Sequence, residues 1–349
     1  DEVKAIRWAV HSGARVINLS LGGVRDPRNP GNDTFSPLEA AAIDYAYRRG
    51  AVLVAAVGNA DQAPRRPWPF ASYPAALPHV IGVSALARDG SVPSFSDRDR
   101  IYNDIAAPGQ DLLSTFPLAK TRERPGCVNQ GYSDCGPDEY RSAEGTSFSA
   151  PQVSAAAALL LSVRPELSPD QVMTLVTRTA VDANPGSGCK QCAPLRDELA
   201  GWGRLDVASA ITQAVSGALP KPDRFETNDD AGRKARRIYG ARGGTIGATI
   251  DFWDDQSDVY KIFVRGGQRL TVALTGQPGT KAFLWRPGTR AVEGFSVRLQ
   301  RMRLAQSTMR RSAERFSYRV PLRRGGWYYV QVKIERPGWG PYALAYTKR

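Results

Sequence analysis

The run Glu144-Gly145-Thr146-Ser147-Phe148-Ser149-Ala150-Pro151 places a hydroxyl where a polar, glycine-bearing loop enters an apolar, alanine-rich stretch predicted to be helical over 149–163. A serine at a helix N-terminus sits among unpaired N–H groups that stabilise negative charge. That setting suits the oxyanion formed when a hydroxyl adds to a carbonyl. Gly145 allows close backbone approach, and the small Ser149 and Ala150 let the helix start pack tightly. Pro151 is tolerated near a helix start but not in its middle. Taken alone, the run also describes an ordinary Ser/Thr N-cap.

The elements that must position Ser147 follow from periodicity. Val3, Ile6, Ala9 and Val10 share one face of a predicted helix over 3–12, with Gly13 as its stop signal. Residues 15–21 read as a buried strand ending at Gly22-Gly23, residues 38–49 as a helix closed by Gly50, and residues 51–57 as a strand ending at Gly58-Asn59. Residues 80–85 read as a third strand. Strand and helix in this rhythm predict an α/β fold with a parallel sheet and helices on its faces. Sites in such sheets form beyond the carboxyl ends of the strands, where Ser20-Leu21-Gly22-Gly23 and Gly58-Asn59 lie. Further on, Ser168-Pro169-Asp170 caps a helix predicted through Val181, and Gly201-Trp202-Gly203 precedes a last helix over 206–215.

The serine run resembles the nucleophile signature of the subtilisin-like serine peptidases. Four further stretches resemble the same family in the same order. Val16-Ile17-Asn18-Leu19-Ser20-Leu21-Gly22 looks like the strand that pairs with substrate backbone. Ala55-Ala56-Val57-Gly58-Asn59 looks like the oxyanion-hole strand. Ala106-Ala107-Pro108-Gly109, with Ser94-Phe95-Ser96 before it, looks like the segment preceding the nucleophile loop, and Gly201-Trp202-Gly203-Arg204-Leu205-Asp206 like the closing motif. The resemblance covers roughly residues 3–215. It implies hydrolysis of a polypeptide through an acyl-enzyme, with Ser147 as nucleophile. The Asn59 side-chain amide and the Ser147 N–H would hold the oxyanion, and Ser20, Leu21, Gly22, Ala56 and Gly58 would line the substrate cleft. It also implies secretion from a bacterial cell and makes calcium an expectation, with no residue assigned to it.

Such chemistry needs a base and a carboxylate to orient it, and in this family both precede the serine. The chain has two histidines, His11 in a predicted helix and His79 just before a predicted strand, and neither stands in the family's His-Gly-Thr pattern. No Asp stands in its Asp-Thr/Ser-Gly context. The expectation is that the Asp and His segments lie upstream of Asp1, and that this chain alone is inactive or nearly so. Gln152 stands where the family often has His, at a structural position. The alternative is a pseudopeptidase that keeps the cleft and binds peptide or a cell-surface polymer.

Composition divides the 349 residues in two. Residues 1–217 hold 21 Lys and Arg against 23 Asp and Glu, a net −2, and residues 218–349 hold 26 against 11, a net +15. The expected organisation is a partial peptidase domain over 1–217, a Pro- and charge-bearing linker over 218–228, and an all-β sandwich over 229–349. Residues 271–274, 318–320 and 327–332 have the period of two or the aromatic and β-branched content of strands. This half resembles the pre-peptidase C-terminal domain in its Glu226-Thr227-Asn228-Asp229 start and its Asp255-Gln256-Ser257-Asp258-Val259-Tyr260 stretch. An Arg-rich run over 298–324, flanked by Phe316, Tyr318, Trp327, Tyr328 and Tyr329, reads either as a patch for an anionic cell-surface polymer or as a solvated face over core aromatics. Nucleic acid is not the expected partner. No apolar run approaches the ~20 residues that span a bilayer. Cys127, Cys135, Cys189 and Cys192 form two close pairs, read as two short disulfides of an exported protein, with a four-thiolate zinc site as the rival.

Overall fold

Apolar runs too continuous for a half-exposed strand build the sheet of the first unit. The computed structural model describes residues 1–61, 63–115, 140–217, 219, 223–225, 228–252, 255–292, 301–336 and 338–349. These fall into two units, Asp1–Ala218 and Leu219–Arg349. In the first, β1 (Val16–Leu19), β2 (Val52–Ala56), β3 (Val80–Leu86) and β4 (Ile105–Pro108) pair in that order, all parallel. Every residue of β2 and β3 is buried, as expected for strands covered on both faces.

Among the described residues this unit has five α-helices: α1 (Glu2–His11), α2 (Pro37–Arg48), α3 (Thr146–Val163), α4 (Pro169–Arg178) and α5 (Val207–Ser216). A two-stranded antiparallel ribbon pairs β5 (Leu112–Thr115) with β6 (Tyr140–Ala143), just before α3. By length and composition α3 could cross a membrane. It instead packs against β1–β4 and buries Ala150, Val153, Ala157 and Leu160. It starts at Thr146, three residues earlier than the alanine-rich pattern predicts, because Gly145 turns the chain at φ 143°. Pro151 therefore lies in the second turn. The helix α4 stops short of Val181, whose backbone instead exchanges two hydrogen bonds of 2.8 Å with Arg204.

Cys189 and Cys192 are joined as a disulfide, Cα atoms 5.3 Å apart, in a buried position. Joined to each other, they are not thiolate ligands. Cys127 and Cys135 lie outside the described residues, as does most of the predicted loop 116–142. Among the described residues no three His, Cys, Asp or Glu side chains gather as a metal site.

The second unit has two five-stranded sheets. One runs β13 (Thr308–Arg310), β14 (Ala313–Arg319), β10 (Arg269–Thr275), β16 (Trp339–Lys348), β8 (Gly243–Asp251). The other runs β12 (Arg303–Gln306), β11 (Thr280–Trp285), β15 (Gly326–Ile334), β9 (Ser257–Val264), β7 (Arg236–Arg237). Among the described strands of this unit, only β7 on β9 is parallel. Alternate residues of both sheets, among them Ile250, Ile262, Val272, Leu284, Val330 and Leu344, meet in one apolar core. Of the flanking aromatics, Phe316 and Tyr328 lie in this core, while Tyr329 is buried on the opposite face of its sheet with Phe283 and Trp285. Asp258 is fully buried and accepts hydrogen bonds from Tyr342 Oη (2.6 Å) and Asn228 Nδ2.

Candidate active site

The site forms where α3 begins, beside the carboxyl ends of β1 and β2. Thr146, completely buried, is the first residue of the helix and ties it to β2. Its backbone N–H and its hydroxyl both donate to Asn59 Oδ1 at 2.8 Å, while the hydroxyl accepts from the Gly58 N–H at 3.3 Å. A backbone N–H can only donate, so the atom facing it must be the amide oxygen. The Asn59 NH2 group is left as a free donor among the described residues, and Asn59 lines the same small cavity as Ser147. Gly145 is required here twice over. Its φ lies in the left-handed region, and a Cβ on it would sit 3.3 Å from Asn59 Nδ2.

Pro151 has a second consequence. An α-helical N–H at position 151 would serve the carbonyl of Ser147, four residues back, and proline has none. The Ser20 hydroxyl fills that role, donating to the Ser147 carbonyl at 2.7 Å. Ser20 Oγ accepts in turn from Asn18 Nδ2 (2.9 Å), and Asn18 Oδ1 from Ser154 Oγ (2.9 Å). The Ser147 backbone is thus held from the β1 end by a chain of side chains anchored about two helical turns away on α3.

Of the residues singled out from sequence, Ser147, Asn59, Leu21, Gly22, Ala56 and Gly58 line one cavity of about 170 Å3. Ser20 does not; it acts on Ser147 from behind. Gln152 donates to Pro108 O (2.7 Å) and Phe148 O (2.9 Å), and Ser149 Oγ to Pro108 O (3.1 Å), so the 106–109 segment braces the helix start. In the closing motif, Trp202 N donates to Asp104 O and Leu205 N to Ala106 O, both at 2.9 Å, which fastens that motif along β4. Six cavity residues had no sequence signal that singled them out, the polar ones being Asp61, Ser72 and Asp97.

No imidazole meets Ser147. Ser147 is half-buried and its Oγ has no hydrogen-bond partner among the described residues. His11, at the end of α1, bonds Tyr45 Oη at 2.9 Å. His79 stacks on Tyr47 with ring centroids 3.7 Å apart, and it precedes β3 at the amino end of the sheet, away from the end that carries Asn59.

The sequence is similar to that of known proteins. The family model described as "Subtilase family" matches residues 1–214. The chain is 34% identical to Subtilisin DY of Bacillus licheniformis over 52% of its own length, and 30% identical to Fervidolysin of Fervidobacterium pennivorans over 78%. It is 33% identical to an "Extracellular protease" of Xanthomonas campestris over 68%. It spans 54%, 38% and 31% of those three relatives' lengths. By the family match over residues 1–214, this chain belongs to the subtilase family.

Proposed function

We propose that this chain carries the nucleophile and oxyanion half of a secreted subtilisin-like serine endopeptidase, whose base and orienting carboxylate come from outside residues 1–349. The observation that carries the reading is the Asn59 amide, its oxygen held by Thr146 so that its NH2 is free beside Ser147 at a helix N-terminus. A fixed donor aimed at a developing oxyanion is the part of this chemistry that a merely structural serine would not need. Secretion rests on the disulfide and on relatives such as the extracellular protease of Xanthomonas campestris. The test is fluorophosphonate labelling followed by intact mass, on this chain and on the full gene product. Rapid single addition at Ser147 in the full product, and little in this chain, is expected. Labelling of neither would leave the second reading, a pseudopeptidase that binds peptide. Labelling of this chain by itself at the full rate would refute an external base.

For the second unit we propose a β-sandwich of the pre-peptidase C-terminal kind that holds an anionic cell-surface polymer. The guanidinium of Arg237 lies 4.5 Å from the centroid of Trp327, and Lys261 Nζ lies 5.7 Å from it, on a face shared with half-exposed Phe263. Retention of the chain on an immobilised anionic polysaccharide, falling steeply with salt, is expected. Flow-through at low salt would dismiss the partner.

A further inference from the structure

We infer that the cavity beside Ser147 is the pocket for a basic side chain, Lys or Arg, of the bound polypeptide, with Asp97 as its recognising carboxylate. The inference rests on the proposed peptidase cleft and deepens it. A cavity of about 150 Å3 holds benzene, so the 170 Å3 here admits a side chain. Gly22, Ala56 and Gly58 leave its walls open, and on size alone an apolar residue would fit. Asp97 changes that. It lines the cavity, is only 2% exposed, and its Oδ1 has no hydrogen-bond partner among the described residues. An unsatisfied buried carboxylate oxygen is costly, and a guanidinium or ammonium group supplies the missing donor with charge assistance.

Asp97 is fixed in that position. Its backbone N–H donates to Gly58 O (2.9 Å), and the N–H of neighbouring Ser72 donates to Val57 O (2.7 Å). The Ser72 hydroxyl donates to Asp97 Oδ2 at 3.3 Å. A Cβ on Gly58, whose φ is +110°, would lie 2.2 Å from that same oxygen. Gly58, Ser72 and Asp97 therefore make a single pocket wall anchored to the end of β2. Asp61, exposed and lining the same cavity, adds a second negative charge. Carboxylates in such pockets decide which side chain a peptidase accepts beside the cleaved bond.

Burial pushes the Asp97 carboxyl up to about 8, and the charge of Asp61 adds to this; the Ser72 hydroxyl, the nearby Ala60 N–H and Arg66 act against it. Below that pH the empty pocket holds a neutral acid, and a bound cation must displace its proton. Affinity for a basic side chain then rises with pH through about 8, and affinity for a neutral one does not.

The test is calorimetric titration of the intact chain with acetyl-Ala-Ala-Pro-Arg-amide and acetyl-Ala-Ala-Pro-Leu-amide. The Arg peptide is expected to bind about tenfold tighter or more above pH 8, a preference that shrinks to about threefold or less in Asp97→Asn. Equal binding of the two peptides, or a preference untouched by Asp97→Asn, overturns this inference and leaves the cleft reading intact. Binding of neither peptide overturns the cleft reading and this inference with it. Should Asp97→Asn not fold, the pH series on the unaltered chain decides: Arg-peptide affinity that is flat between about pH 6 and 9 refutes a titrating carboxylate in the pocket.

Discussion

On the proposed peptidase reading, Asn59→Ala is expected to lower kcat of the full gene product by about 10²–10³-fold while KM moves less than about threefold; the magnitude is the one measured for an oxyanion donor in subtilisin itself, a member of this family. The split follows from when the bond is made. In the proposed role the NH2 of Asn59 would meet little charge in the ground state and a full oxyanion in the transition state, so its loss would fall on kcat. The cause of its aim is Thr146, whose N–H and hydroxyl both hold the amide oxygen at 2.8 Å. Thr146→Val keeps the N–H and the shape but removes the hydroxyl, so it is expected to cost a smaller part of the same kcat effect, about tenfold. Steady-state kinetics on a chromogenic peptide read both. A loss below threefold in Asn59→Ala would mean that another group holds the oxyanion. A KM effect as large as the kcat effect would mean that Asn59 binds substrate rather than the transition state.

Sequence alone revealed those parts of the site that local patterning determines. The apolar runs over 15–21, 51–57 and 80–85 became β1, β2 and β3 with edges shifted by one or two residues, and Ser147 and Asn59 proved to line one cavity. What stayed hidden depends on contacts between distant residues. Nothing around Ser72 or Asp97 marks them as a pocket wall, because the wall exists only once two loops are fastened to the end of β2 by main-chain bonds. Ser20 had been placed in the cleft by resemblance, yet its hydroxyl faces the Ser147 carbonyl. The signal was present in Pro151, whose missing N–H leaves that carbonyl unsatisfied. Alanine periodicity puts the start of α3 at 149, whereas the turn at Gly145 starts it at Thr146. In the second unit the period of two and the aromatic content marked parts of β10, β14 and β15 only, and the split of the aromatics between core and a cation-bearing face required the register.

Arg25→Ala is expected to lower the unfolding free energy of the first unit by roughly 3–5 kcal/mol, the cost of stranding a buried charge. Arg25 is 8% exposed and Asp99 2%, and their side chains form an ion pair. The guanidinium also donates through Nε to Ala71 O (3.2 Å) and lies against the rings of Phe70 and Tyr102, 5.3 and 5.0 Å from their centroids. Asp99 is bound as closely: Oδ2 accepts from Ala71 N (3.0 Å), and Oδ1 from Ile101 N (2.8 Å) and Tyr102 N (3.1 Å). The pair thus clamps the strand of chain that leads into Ser72, the residue that holds Asp97 in the pocket wall. Denaturant unfolding of the first unit's transition measures the loss. The double variant Arg25→Met with Asp99→Asn is expected to recover much of it, because removing both charges leaves no uncompensated ion. A loss under about 1 kcal/mol in Arg25→Ala would mean that the N–H groups around Asp99 suffice to hold its charge. Full loss in the double variant as well would place the stability in the packing of Arg25 on Phe70 and Tyr102, not in its charge. The pocket gives an independent reading of the same clamp. If Ala71 and Ser72 shift when Arg25 is removed, preference for the Arg-ended peptide falls along with stability, even though Arg25 itself is not among the residues that line the cavity.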